Sequence, residues 1–124
     1  MGFKKQDLDD FLKKNDLLDD DTHSICVTTR RGIFSSVNDY YFISFNRQGL
    51  AIIPLTAMGK FVGNIFFSEN DQIEEAFLKK AIWGYKFIIK PKGDKKGSKF
   101  TVRSIMVGYH EQKAELAEFI KKYG

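Results

Sequence analysis

YYFISFNRQGLAIIPLT, residues 40–56, is the stretch that most limits what this chain can become. Tyr41, Ile43 and Phe45 alternate with Phe42, Ser44 and Asn46. Gln48-Gly49 supplies a turn, and Leu50 to Leu55 returns, with Pro54 marking an edge or a strand end. Side chains of a strand point to alternate faces, so a period of two specifies extended chain where a period near 3.6 would specify helix.

The same period recurs on both sides of this hairpin. SICVTTRR, from Ser24, sets Ile25, Val27 and Thr29 on one side before Gly32 breaks it. FVGNIFF (61–67), WGYKFIIK (83–90) and KFTVRSIMV (99–107) read as further strands. In the second of these, Tyr85, Phe87 and Ile89 alternate against Lys86, Ile88 and Lys90. QIEEAFLKKA (72–81) fits a helix face through Ile73, Phe77 and Leu78, or one side of a strand through Ile73, Glu75 and Phe77. Its neighbours favour a strand. Twelve Phe and five Tyr against only two Pro suit a curved sheet that needs bulky side chains to fill it.

Two segments carry the helical period instead. HEQKAELAEFIKKYG places Leu116, Phe119, Ile120 and Tyr123 at i, i+3, i+4 and i+7, with Glu111 and Glu115 early, Lys121 and Lys122 late, and Gly124 at the end. Leu116, Phe119 and Ile120 are expected to cover one end of the sheet. Residues 4–18 read as a shorter amphipathic helix through Leu8, Phe11, Leu12 and Leu18. The acids at 19–21 oppose a helix C-terminus, so DDDTHS reads as a loop. Six or seven strands in succession followed by one helix describe an antiparallel sheet that must bury a face, and curling into a small barrel plugged by the helix does so. Residues 1–21 then form a separable extension and 22–124 the domain, a size sufficient for one core.

Charge is unevenly spread. The net charge is +4, yet residues 1–21 hold four Lys against seven Asp, and residues 79–103 hold eight Lys and one Arg against Asp94 alone. The acidic face of the extension complements the basic remainder and could dock on it by charge, while Leu8, Phe11 and Leu12 form a small apolar stripe. KPKGDKKGSK, residues 90–99, is the densest basic stretch. Lys90, Lys92, Lys95, Lys96 and Lys99, flanked by Lys86 and Arg103, could surround an anion, with glycine amides as extra donors. The plainer reading is a hairpin tip that collects lysine for solubility and to discourage edge pairing, with Gly93 and Gly97 taking positive φ.

Other chemistry is sparsely represented. His23 and Cys26 with His110 fall short of the four ligands, usually with paired cysteines, of a structural zinc site. Cys26 within an alternating strand reads as a small buried hydrophobe rather than a nucleophile. Glu74 and Glu75 on a strand point to opposite faces, and Glu69 and Asp71 read as solvated edge, so neither pair is placed for acid–base work. No phosphate-loop, dinucleotide or nucleophile-elbow motif occurs. The expectation is a protein that is not an enzyme and binds no metal or cofactor. A lone cysteine forms no internal disulfide, and MGFKKQDLDD has charge where a signal peptide would be apolar and Gln6 where a myristoylation signal wants Ser or Thr. A soluble cytoplasmic protein is expected.

Over residues 24–123 the order of elements resembles the bacterial pleckstrin-homology-like (PH-like) domains. YYFISFNRQGLAIIPL looks like that family's paired strands, and QIEEAFLKKAIWGYKFIIK is similar to its strand–lysine turn–strand unit, with KFTV and the last helix completing the order. Ala81 stands where the family usually has glycine, and the N-terminal helix lies outside the family pattern. The resemblance implies a mainly β fold, a bent antiparallel seven-stranded barrel capped by the C-terminal helix. It transfers no ligand site: RRGIFSSVND, in the loop where relatives grip phosphoinositides, offers only Arg30 and Arg31 as basic residues. The expected function is a non-enzymatic binding module for a protein or peptide, met at a sheet edge or helix groove. The alternative is an anion binder that meets nucleic acid or an anionic membrane through the 86–103 hairpin. A small ligand-binding or catalytic barrel ranks third; an interior cavity would favour it and a core filled by Phe and Tyr would exclude it.

Overall fold

The computed structural model describes residues 5–30, 38–55, 61, 65–95, 97–106 and 108–124. Helix α1 (Lys5–Lys14) precedes β1 (His23–Arg30), β2 (Asn38–Phe45), β3 (Gly49–Leu55) and β4 (Phe66–Glu69). A single 3-10 turn, Asn70–Gln72, leads into β5 (Ile73–Ala81), β6 (Gly84–Pro91), β7 (Ser98–Val102) and helix α2 (Gln112–Tyr123). The seven strands form one antiparallel sheet in the order β4-β3-β2-β1-β7-β6-β5. The protein is therefore mainly β with a helix at each end of the chain. No helix among the described residues is long and apolar enough to cross a membrane.

Alternation in the sequence becomes two buried layers. Ile25 and Val27 of β1, Ile43 and Phe45 of β2 and Leu50 of β3 pack in one cluster with Leu78, Phe87, Ile89, Phe100 and Val102 of β5–β7. The halves β1–β4 and β5–β7 meet at the registered pair Thr28↔Thr101, and the shared cluster shows that the sheet folds over there on itself. Leu116 and Phe119 of α2 close this layer; Phe119 is fully buried and sets its ring edge-on to Phe45 at 4.8 Å and to Phe87 at 5.8 Å. Ile120, expected in the same stripe, is exposed, and Tyr123 packs against the cluster instead.

Polar ties fix α2 on β1. The Gln112 side chain is 1% exposed. Its Nε2 donates to the carbonyls of Cys26 and Arg103, each at 2.9 Å, and its Oε1 accepts the Cys26 N–H at 2.8 Å. The Tyr109 hydroxyl donates to the Ser24 carbonyl at 2.9 Å, and Glu115 Oε2 accepts the Ser24 N–H at 2.7 Å. Buried polar groups without such partners would each cost on the order of 1–3 kcal/mol. Here they orient the helix.

In the second layer, of the two means of docking open to residues 1–21, the apolar stripe is the one in use. Leu8 and Leu12 of α1 are fully buried, and Leu17, not Leu18, follows them into a cluster with Cys26, Phe42, Ala51, Ile53 and Tyr109. These sheet residues are the ones that alternate with the first layer, so β1–β3 are apolar on both faces, as strands covered on both sides must be. The acidic run after the helix clamps the β2–β3 turn rather than the basic half: Asp19 Oδ2 accepts the Arg47 N–H at 2.9 Å, and Arg47 Nε meets Asp21 Oδ2 at 2.6 Å. Asn46 donates to the Leu17 carbonyl at 3.0 Å, joining the same turn to the end of α1.

Smaller differences concern strand limits. β4 begins at Phe66 rather than 61; Phe61 makes only an isolated bridge to Leu55, and 62–64 lie outside the described residues. β7 ends at Val102, well short of 107. Residues 73–81 are a strand, irregular between Ile73 and Glu75 where its register with β6 shifts.

Candidate anion-binding face

β5, β6 and β7 bury Leu78, Phe87, Phe100 and Val102, so their alternate residues form an outer face. The register writes that face row by row. Phe77 lies opposite Ile88 and Ile88 opposite Lys99; Lys79 lies opposite Lys86 and Lys86 opposite Thr101. Ala81 faces Gly84, beside which Arg103 leaves β7. The rows surround a cleft of about 630 Å³, lined also by Lys80, Tyr85 and the turn residues Ile82 and Trp83. Neither helix lines it: α2 packs in the inner layer with Leu78, Phe87 and Phe100, and α1 packs on β1–β3.

Lys86, Lys99 and Arg103, three of the seven basic residues expected to form a site, are brought together here. Lys86 Nζ donates to the Thr101 hydroxyl at 2.9 Å, which holds its side chain across the sheet. Lys90 reaches back to Glu74 Oε2 at 3.6 Å. Lys92 and Lys95 are exposed in the β6–β7 turn, where Gly93 and Gly97 take φ of 86° and 69° as expected. Lys96 lies outside the described residues. The densest lysine stretch is thus the wet tip, and the shaped part of the basic region sits on the sheet beside it.

Lys79, Lys80 and the Ile82-Trp83 pair were not among the expected site residues. The alternation in the sequence starts a strand at Trp83, yet β6 begins at Gly84 and Trp83 occupies the turn, 87% exposed beside Ile82 at 88%. The signal was present in the residue types: a tight turn normally takes Gly, Asn, Asp or Ser, and an apolar pair there has no structural cause. Gly84 carries the turn geometry, with φ +129° and with Val102 O only 2.3 Å from where a Cβ would stand.

The cleft is one-sided in charge: among the described residues five basic side chains line it and no acid does. Glu75, on the same outer face, lies further along opposite Lys90, and ion pairs form elsewhere, Asp9 with Lys5 at 3.0 Å, Glu118 with Lys121 at 3.2 Å and Glu115 with His23 at 3.2 Å. Among the described residues no ion pair involves Lys79, Lys80, Lys86, Lys99 or Arg103. Lys79 directly opposite Lys86 is a cross-strand arrangement that like charges disfavour unless an anion lies between or above them.

Elsewhere the chemistry is structural. Burial pushes the Cys26 thiol up to about 12, which holds it protonated, the reverse of nucleophile activation. His23 turns to Glu115 while Cys26 faces the α1 layer, so the two do not converge; among the described residues no group of three His, Cys, Asp or Glu could hold a metal. The space between the sheet halves is filled by Phe45, Phe87, Phe100 and Phe119. A cleft of about 490 Å³ opens beside it between Tyr41, Ile52, Phe66 and Phe100. Compared with protein families, characterised proteins and solved structures, the chain finds no match in any of the three.

Proposed function

We propose that this chain is a non-enzymatic, cytoplasmic binding module of the bacterial PH-like kind, which docks a negatively charged partner on the outer face of β5–β7. The observation that carries the reading is the uncovered cleft framed by Lys79, Lys80, Lys86, Lys99 and Arg103 with no acid paired to any of them among the described residues. The strand order and the helix capping the folded sheet support the PH-like part. Of the two partners expected from the sequence, the anionic one is favoured over a neutral peptide at the β5 edge. An edge binder needs free backbone groups and side-chain pockets; this face offers focused positive potential over a rigid sheet.

Elution from a heparin column in a salt gradient tests it. Lys79→Ser, Lys86→Ser and Lys99→Ser together should bring elution to markedly lower salt with the far-ultraviolet spectrum unchanged. The same number of lysines removed from α1 (Lys5, Lys13, Lys14) should shift elution far less, since those side chains lie on a different surface. Equal shifts in the two variants would reduce the effect to net charge and refute a built face.

A further inference from the structure

Two of the most exposed large hydrophobic residues among the described ones stand side by side at one end of this face. Ile82 and Trp83 form the β5–β6 turn, at 88% and 87% exposure, and both line the cleft. Gly84 abuts Val102 and Arg103, which sets this turn beside the end of β7. Scattered exposed hydrophobics need no explanation, whereas a cluster of this kind ringed by charge marks a contact surface. Lys79, Lys80, Lys86 and Arg103 are the charges that ring it.

Building on the anion-binding reading, we propose that the occupant of this face is an anionic lipid bilayer, with Ile82 and Trp83 as an apolar wedge that enters the interfacial layer. The residue types select lipid over nucleic acid. Single-stranded nucleic acid is held by successive bases stacking on several aromatic faces, and this tip offers one indole beside an isoleucine, which has no π-surface. Aliphatic side chains gain by entering hydrocarbon, and an indole places its apolar body there while its N–H stays at the wet boundary. Lysines set behind such a tip reach anionic headgroups without being dragged into the acyl region. A turn braced by two strands presents the wedge at little ordering cost.

Trp83 is the only tryptophan in the chain, so its emission reports this turn and nothing else. The intact protein is titrated with phosphatidylcholine vesicles containing phosphatidylglycerol, with pure phosphatidylcholine vesicles, and with oligothymidine. The proposal expects a blue shift, protection from acrylamide and quenching by bromines on the acyl chains, with the anionic vesicles only. Ile82→Ser, a change at an exposed turn position that spares the fold, should weaken partitioning into the anionic vesicles roughly tenfold or more. Each lysine neutralised among Lys79, Lys80 and Lys86 should weaken vesicle binding roughly fivefold. Vesicle binding with unshifted emission, indifferent to Ile82→Ser, would overturn the wedge. A response to oligothymidine but not to vesicles would overturn the lipid and leave the anion-binding face standing. Silence towards vesicles, oligothymidine and heparin alike would remove both.

Discussion

Phe119 is the residue on which the closure of the inner layer depends. It is fully buried between Phe45 and Phe87, so Phe119→Ala should cost roughly 3–5 kcal/mol, a lost ring plus a cavity that a folded-over sheet cannot easily collapse. That is a large share of a typical 5–15 kcal/mol stability, and chemical denaturation should show a far lower midpoint; an unchanged midpoint would place α2 outside the core. Ile120→Ala, one residue along but exposed, is the natural comparison and should change little. Ionisation gives a second expectation at this scale. Burial raises the Cys26 thiol to about 12 and raises the Tyr109 and Tyr123 hydroxyls, Tyr109 further through Glu115 and Glu111. All three groups stay protonated in the folded chain at a pH where the unfolded chain has released those protons. Folding stability is then full below about pH 8.5, the ordinary thiol value, and falls as pH rises towards 12. Denaturant midpoints measured from pH 7 to 11 should decline through that window, and Cys26→Ala should make the early part of the decline shallower. A flat profile would contradict the burial of these groups.

At the scale of elements, α1 and the β6–β7 hairpin exchange the roles their sequences suggest. Polar residues on most of α1 and the seven aspartates of residues 1–21 look like an appended, charge-docked helix. Leu8, Leu12 and Leu17 nevertheless close the second apolar layer. Deleting residues 1–21 should therefore bare Phe42, Ala51 and Ile53 and abolish cooperative unfolding, or leave a species that binds hydrophobic dyes. A truncated chain with the parent's midpoint would restore the idea of a separable extension. The lysine-rich tip is the converse case. Lys92→Ser with Lys95→Ser should leave heparin elution much closer to the parent than the Lys79, Lys86 and Lys99 substitutions do, because tip lysines are solvated singly while the sheet holds the others side by side.

The strands and α2 were legible because burial imposes a period, and Ile25/Val27, Tyr41/Ile43/Phe45 and Leu116/Phe119 keep it. What escaped was whatever depends on the second layer. A strand covered on both faces shows apolar residues at every position, and Phe42 or Cys26 carries no mark of what will cover it. The site escaped in part for a related reason. Local lysine density pointed to 90–99, whereas the face is assembled by register, and Lys79, Lys86 and Lys99 stand far apart in the sequence until β5, β6 and β7 align.

The whole molecule is held together through β1, which pairs with β2 on one side and β7 on the other, faces α2's layer with Ile25 and Val27, and faces α1's layer with Cys26. Its partnership with the last strand has a consequence in time. Thr28 must meet Thr101 across most of the chain before the inner layer exists, and closing so long a loop is slow compared with forming the hairpins between them. On the ribosome, β1 therefore leaves the tunnel long before β7 and α2, with no means of covering its inner side. The nascent chain must wait with the inner side of Ile25 and Val27 uncovered until β7 and α2 have emerged.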